Sequence, residues 1–124
     1  MPAGYADLHL HTTASDGMQT IPELVRRAKG LSFSCIAVTD HDTLSPDLSL
    51  PVESIDGVEV ISGVEIKTEF DGIRGELLAY FVDPSSRELG LFLSRMADAR
   101  RRRMERMVER CREETGVPIE MAEV

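Results

Sequence analysis

The stretch from Tyr5 to Val38 constrains the fold more than any other part of the chain. From Tyr5 to His11 the side chains alternate: Tyr5, Asp7, His9 and His11 point one way, Ala6, Leu8 and Leu10 the other. A period of two belongs to a strand with one polar face. The segment TTASDGMQT, residues 12–20, reads as a loop whose last residue, Thr20, is placed to cap a helix, with Pro22 and Glu23 in the first turn. That helix is expected to run to about Lys29, with Gly30 ending it. Cys35 to Val38 is a short apolar run of the kind found in buried strands. Strand, helix, strand in one short span predicts a βαβ unit.

Beyond it, residues 43–57 look loop-like, with Pro46, Pro51 and Gly57. VEVISGVEI, residues 58–66, predicts a third strand, bent or bulged at Gly63. ELLAYFV, Glu76 to Val82, predicts a fourth. Ser85 and Glu88 have the spacing of a capping box. The helix they would open carries Leu89, Phe92, Met96, Met104, Met107, Val108 and Cys111 at mostly helical spacing, and Gly116 closes it. VPIEMAEV, residues 117–124, is compatible with the start of another strand.

Composition narrows the function. With 124 residues, 42% hydrophobic and 29% charged, the chain suits one soluble domain. No apolar run approaches the roughly 20 residues of a membrane-spanning helix, so no membrane role is expected. The N-terminus lacks a basic segment followed by an apolar one, so no signal peptide is read. Cys35 and Cys111 form neither a metal nor a redox spacing, which leaves a reducing cytoplasm as the default. A formal net charge of -8 argues against a general nucleic-acid surface. It leaves phosphate substrates open, because bound divalent metals reverse the local sign of charge.

The chain has only 3 histidines. His9 and His11 end the first strand, and His41 sits in TDHD, just after the second. In α/β sheets, sites form outside the carboxyl ends of strands. Three neighbouring strand ends thus bring His9, His11, Asp40, His41, Asp42 and Glu65 toward one region. An H-x-H pair on a strand sets two imidazoles on one face, about 7 Å apart at their Cα atoms. Imidazole plus carboxylate without thiolate suits Zn, Mn or Fe. The competing reading is that His41 merely caps a turn.

DLHLHTTASDG (7–17), PELVRRAKG (22–30), IAVTDHDTL (36–44) and GVEVISGVEI (57–66) together resemble the N-terminal half of the PHP (polymerase and histidinol phosphatase) family. The match is nearest its stand-alone phosphoesterase branch and covers roughly residues 5–110. The resemblance implies the N-terminal portion of a distorted (β/α)₇ barrel: α/β, with a βαβ start, mostly parallel strands and a long C-terminal helix. Residues 1–124 would form a single PHP-type domain that is partial, because the family's C-terminal half supplies further ligands, a histidine and a later D-x-H, that this chain lacks. The implied activity is metal-dependent hydrolysis of phosphate esters of nucleotides, short oligonucleotides or related small molecules, with two or three divalent ions in the complete family site.

Carried over position by position, the resemblance implies His9, His11, Asp16, His41 and Glu65 as metal ligands, with Glu65 bridging two ions. Asp7 would orient a histidine on its own strand face. Asp40 would do likewise or take part in proton transfer. His41 is the other candidate for the leaving-group proton, a role closed to it while it binds metal. Where the family pattern E-x-H-x-L-G-Y has a histidine, this chain has RGELLAY, so Glu76 is the candidate ligand there. No G-x-S-x-G nucleophile motif is present; the ions would acidify a water and neutralise phosphoryl charge.

Seven arginines fall between Arg95 and Arg110. Guanidinium groups bind phosphate oxygens in a bidentate manner, and Arg100 and Arg103 are the candidates for substrate phosphate. The plain alternative is a solvated helix face paired with Glu105 and Glu109. Glu69 and Asp71 read as a solvated loop. Three rival functions stand beside the hydrolase: a silent or partial metal-binding module, an accessory or proofreading PHP domain of a DNA polymerase, and a homo-oligomer with shared sites.

Overall fold

A computed structural model describes residues 4–121. In chain order the elements are β1 (Tyr5–Leu10), α1 (Ile21–Gly30), β2 (Phe33–Val38), β3 (Val52–Ile55), β4 (Val58–Phe70), β5 (Ile73–Tyr80) and α2 (Arg87–Thr115). The sheet runs β1-β2-β4-β3, with β5 also paired to β4. β1, β2 and β4 are parallel, as the βαβ pattern predicts. β3 and β5 each run antiparallel to β4.

The core lies between α1 and this parallel centre. Ile21, Leu24, Val25 and Ala28 recur at helical spacing and pack with Ile36, Val38, Val58 and Val60. Leu48, from the connection after β2, plugs the same cluster. Glu23 fastens the start of α1 by accepting from both the Thr20 backbone N–H and its hydroxyl, each at 2.8 Å. Gly30 is the last helical residue rather than the stop; the left-handed turn falls on Ser32, at φ 63°.

β4 is longer than the predicted strand and changes partners along its length. Glu59 to Ser62 pair with β2, and Gly63 to Phe70 pair with β5. The switch occurs at Gly63, where a Cβ would lie 2.7 Å from the Ala79 carbonyl oxygen and 2.9 Å from the Thr39 methyl. Only glycine lets three strands meet this closely.

Several expectations need correction. β3 lies inside the span read as loop, and it returns into β4 through Asp56-Gly57, with φ 50° and 80°. Asp71-Gly72, at 49° and 76°, makes the same kind of turn between β4 and β5. Two central residues at positive φ define the type I′ hairpin that Asp-Gly favours. β5 therefore starts at Ile73, earlier than read, and ends at Tyr80. Ser86, not Ser85, caps α2: its hydroxyl accepts from the Leu89 N–H, while Ser85 donates to Asp83. Gly116 does end α2, at φ 69°. The apolar stripe read on that helix is only partly covered: Val108 is buried, Leu89, Met96, Met104 and Cys111 are half-buried, and Phe92 and Met107 are exposed, while Leu93, outside the stripe as read, is buried. Residues 117–121 form no strand, and 122–124 lie outside the described residues. No helix among the described residues is long and apolar enough to cross a membrane.

Candidate metal centre

The parallel strands deliver the site. β1 carries His9 and continues into His11, β2 runs out through Thr39 and Asp40 to His41, and β4 carries Glu65 beside them. His41 and Glu65 form a parallel bridge. The Glu65 N–H donates to the Asp40 carbonyl at 3.0 Å, and the Asp42 N–H donates to the Glu65 carbonyl at 2.9 Å. Main-chain bonding thus fixes the register of His41 against Glu65.

The side chains converge on one atom. Glu65 Oε2 lies 3.2 Å from His9 Nε2, 3.0 Å from His11 Nε2 and 3.2 Å from His41 Nδ1. Asp16 approaches from the loop after β1, with Oδ1 2.8 Å from His11 Nδ1 and Oδ2 3.4 Å from His41 Nε2. The ring centroids of His9 and His11 are 5.2 Å apart, those of His11 and His41 4.5 Å. Two groups have ligand atoms within 4.8 Å of one another, His9/His11/Glu65 and His11/Asp16/His41, and they share His11.

The geometry fits cations among these groups better than hydrogen bonds alone. His11 and His41 each stand between two carboxylates. A neutral imidazole has one N–H and one lone pair, so it can donate to only one of them. Of the three nitrogens around Glu65 Oε2, that of His9 makes an aligned hydrogen bond. His41 Nδ1 is buried, and despite its 3.2 Å approach it has no aligned partner. Buried polar atoms left in this state call for an explanation such as an ion. The donor set, imidazole and carboxylate without sulfur, suits a divalent metal ion.

The carboxylates are tuned to match. Glu65 is buried, which pushes its carboxyl up, but hydrogen bonds with His9 and Glu76 and the charges of His41 and His9 outweigh this, so it is held below the usual glutamate value. For Asp16 desolvation likewise raises, and the hydrogen bond with His11 and the charges of His41 and His11 prevail, so it too is lowered. Both groups are thus biased toward the anionic form that binds metal.

Asp40 does not enter the cluster. It is fully buried, and its carboxylate accepts from the Thr12 N–H at 2.7 Å, the Thr12 hydroxyl at 2.7 Å and the Ser15 hydroxyl at 2.6 Å. These bonds staple the loop that presents Asp16. Gly17 completes the loop, because a Cβ there would lie 2.2 Å from the His11 carbonyl oxygen. Thr12 and Ser15 are functional supports that reading the sequence missed, since nothing local signals a bond to residue 40. Tyr80 is another: its hydroxyl donates to the Leu8 carbonyl at 2.8 Å and ties β5 to β1.

The remaining candidates fall nearby. Asp7 accepts from the His9 backbone N–H at 3.3 Å and so touches main chain rather than a ring. Glu76 is exposed on β5 and lies outside both ligand groups. Arg100 pairs through its Nη2 with Asp42 Oδ2 at 2.8 Å. Arg103 lines a cleft of about 630 Å³ with Lys67, Thr68, Glu69, Arg74 and Glu76. Glu69 and Asp71, read as loop, are the end of β4 and part of the β4–β5 turn, and Glu69 pairs with Arg74 at 3.4 Å.

Residues 7–117 match the PHP domain family, and the chain belongs to it. It is 31% identical over 114 residues to a 5'-3' exoribonuclease of Haemophilus influenzae, covering 90% of this chain and 41% of that protein. It is 28% identical over 102 residues to a 3',5'-nucleoside bisphosphate phosphatase of Chromobacterium violaceum, covering 82% of this chain and 36% of that one. A crystal structure from Bifidobacterium adolescentis, provisionally called a metal-dependent phosphoesterase, superposes with a TM-score of 0.76 at 30% identity, over 98% of this chain and 42% of that one. The chain therefore spans about two fifths of the length of these relatives. The mixed α/β fold, with its parallel centre and long C-terminal helix, is that of PHP-like neighbours.

Proposed function

We propose that this chain carries a divalent-metal centre built from His9, His11, Asp16, His41 and Glu65, and that it serves hydrolysis of phosphate esters of nucleotides or short oligonucleotides. The observation that carries the reading is the meeting of three imidazoles on one buried carboxylate oxygen, Glu65 Oε2. The relatives' names, an exoribonuclease and a nucleoside bisphosphate phosphatase, support the substrate class. Mn, Zn or Fe held there would supply charge neutralisation at the phosphoryl group and acidification of water. His9, His11 and Glu65 would hold one ion, and His11, Asp16 and His41 form the second ligand group.

The chain's own residues have separable jobs in this reading. His41 acts as a ligand, so it is not the carrier of the leaving-group proton. Asp40 acts through the loop it holds rather than on substrate. Arg103, with Lys67 across the cleft, meets a substrate phosphate. A second reading, a metal-binding module without turnover of its own, draws on one observation: Glu76 stands outside both ligand groups.

Hydrolysis of bis(p-nitrophenyl) phosphate with added Mn2+ separates these. Turnover that vanishes in His9→Ala and shows a raised KM with little change in kcat in Arg103→Ala supports the hydrolase. Mn2+ binding without turnover in the wild type selects the module.

A further inference from the structure

Asp42 is an unusual residue to bury. It is 5% exposed and sits in a left-handed backbone conformation at φ 51°. Aspartate tolerates that region better than most residues, yet it carries a cost. Its Oδ1 is buried without a partner, and its Oδ2 is held by Arg100 at 2.8 Å. A buried carboxylate keeps its charge only if it is paired. Arg100 comes from α2, whose buried residues are Leu93 and Val108. Asp42 in turn is bonded through its N–H to the Glu65 carbonyl and follows His41 directly.

We propose that Arg100 is a positioning residue of the metal centre: by neutralising Asp42 it keeps the 40–42 turn folded inward, and so holds His41 against Glu65. This rests on the metal reading above. It also assigns Arg100 a job different from binding substrate phosphate. Without the guanidinium, the Asp42 carboxylate gains by turning out to water. That motion breaks the N–H bond to the Glu65 carbonyl and swings His41 away from Oε2. Arg101 and Arg110 do not share the role: they pair with Asp98 and Glu114 on their own helix.

The test is Mn2+ affinity of the full chain, measured by paramagnetic resonance of free Mn2+. Groups that support metal ligands from behind typically change affinity about 10- to 100-fold when removed. Arg100→Ala is expected to weaken Mn2+ binding on that scale, and Arg100→Lys to recover part of it. In an Asp42→Asn background the neutral amide no longer needs the arginine, so Arg100→Ala should then have little further effect. This last comparison holds even if the single variants are somewhat destabilised. Unchanged Mn2+ affinity in Arg100→Ala, with weakened inhibition by inorganic phosphate instead, would overturn the inference and return Arg100 to substrate. Equal losses in both backgrounds would overturn it too. Failure of the wild type to bind Mn2+ at all is a different result, which removes the metal reading itself and the inference with it.

Discussion

α1 and α2 make an instructive pair. α1 has 10 residues and buries Ile21, Leu24, Val25 and Ala28. α2 has 29 residues and buries Leu93 and Val108. Both carry apolar side chains at helical spacing, so the pattern alone does not separate them. What separates them is what lies opposite. α1 faces Ile36, Val38, Val58 and Val60 on two adjoining strands, β2 and β4. α2 reaches the turn after β2 through an ion pair, Arg100 to Asp42. Apolar packing holds the scaffold of the site, whereas polar ties connect the helix to it, and mutations in the two regions should therefore read out differently.

The contrast is broken most sharply at the two helices themselves. Leu24→Ala empties part of the core under the sheet and should cost about 2–5 kcal/mol. Met107→Ala, at a side chain 53% exposed, should stay within about 0.5 kcal/mol. Equal losses in urea denaturation would mean α2 is packed as tightly as α1.

A smaller effect on stability, with a larger one on the site, is expected at Asp40. Asp40→Ala strands the Thr12 N–H and the two hydroxyls that it accepts, at a cost of about 1–3 kcal/mol. It should also release Asp16, so that Mn2+ binds more weakly than the stability loss alone implies. Retained Mn2+ affinity in a destabilised Asp40→Ala would reduce the staple to a purely structural device.

The smallest effect concerns exposed carboxylates. Backbone N–H groups of Ser49 and Leu50 hold the Glu53 carboxyl below its usual value, and Thr20 does the same for Glu23. A lowered folded-state value means stability that is present above the unfolded value and lost as pH falls through the folded one. Urea midpoints of the wild type and Glu53→Gln should differ at neutral pH and converge in acid. A gap that persists in acid would show that charge is not the cause.

How legible the molecule is in its sequence follows the same division. The βαβ start and the placement of His9, His11, His41 and Glu65 could be read because they rest on local periodicity and on the ends of strands. β3 could have been found: Asp56-Gly57 and Asp71-Gly72 are both hairpin signals, but the prolines around the first made the span look like loop. The polar ties were another matter. Asp40 to Thr12, Tyr80 to Leu8 and Arg100 to Asp42 join residues distant in sequence, and any of seven neighbouring arginines could have been the one to reach Asp42. Folding decides that choice, because it depends on which face of α2 meets the strand ends.

The central claim is that Glu65 is the hub of a metal centre. The most direct test is Mn2+ and Zn2+ binding, as stoichiometry and affinity, in the wild type and in Glu65→Gln, which nearly preserves shape and removes the charge. The account predicts at least one ion in the wild type and a loss in Glu65→Gln greater than the roughly 100-fold that supporting residues reach. Wild-type affinity in a folded Glu65→Gln would contradict it and leave the three histidines without their common ligand.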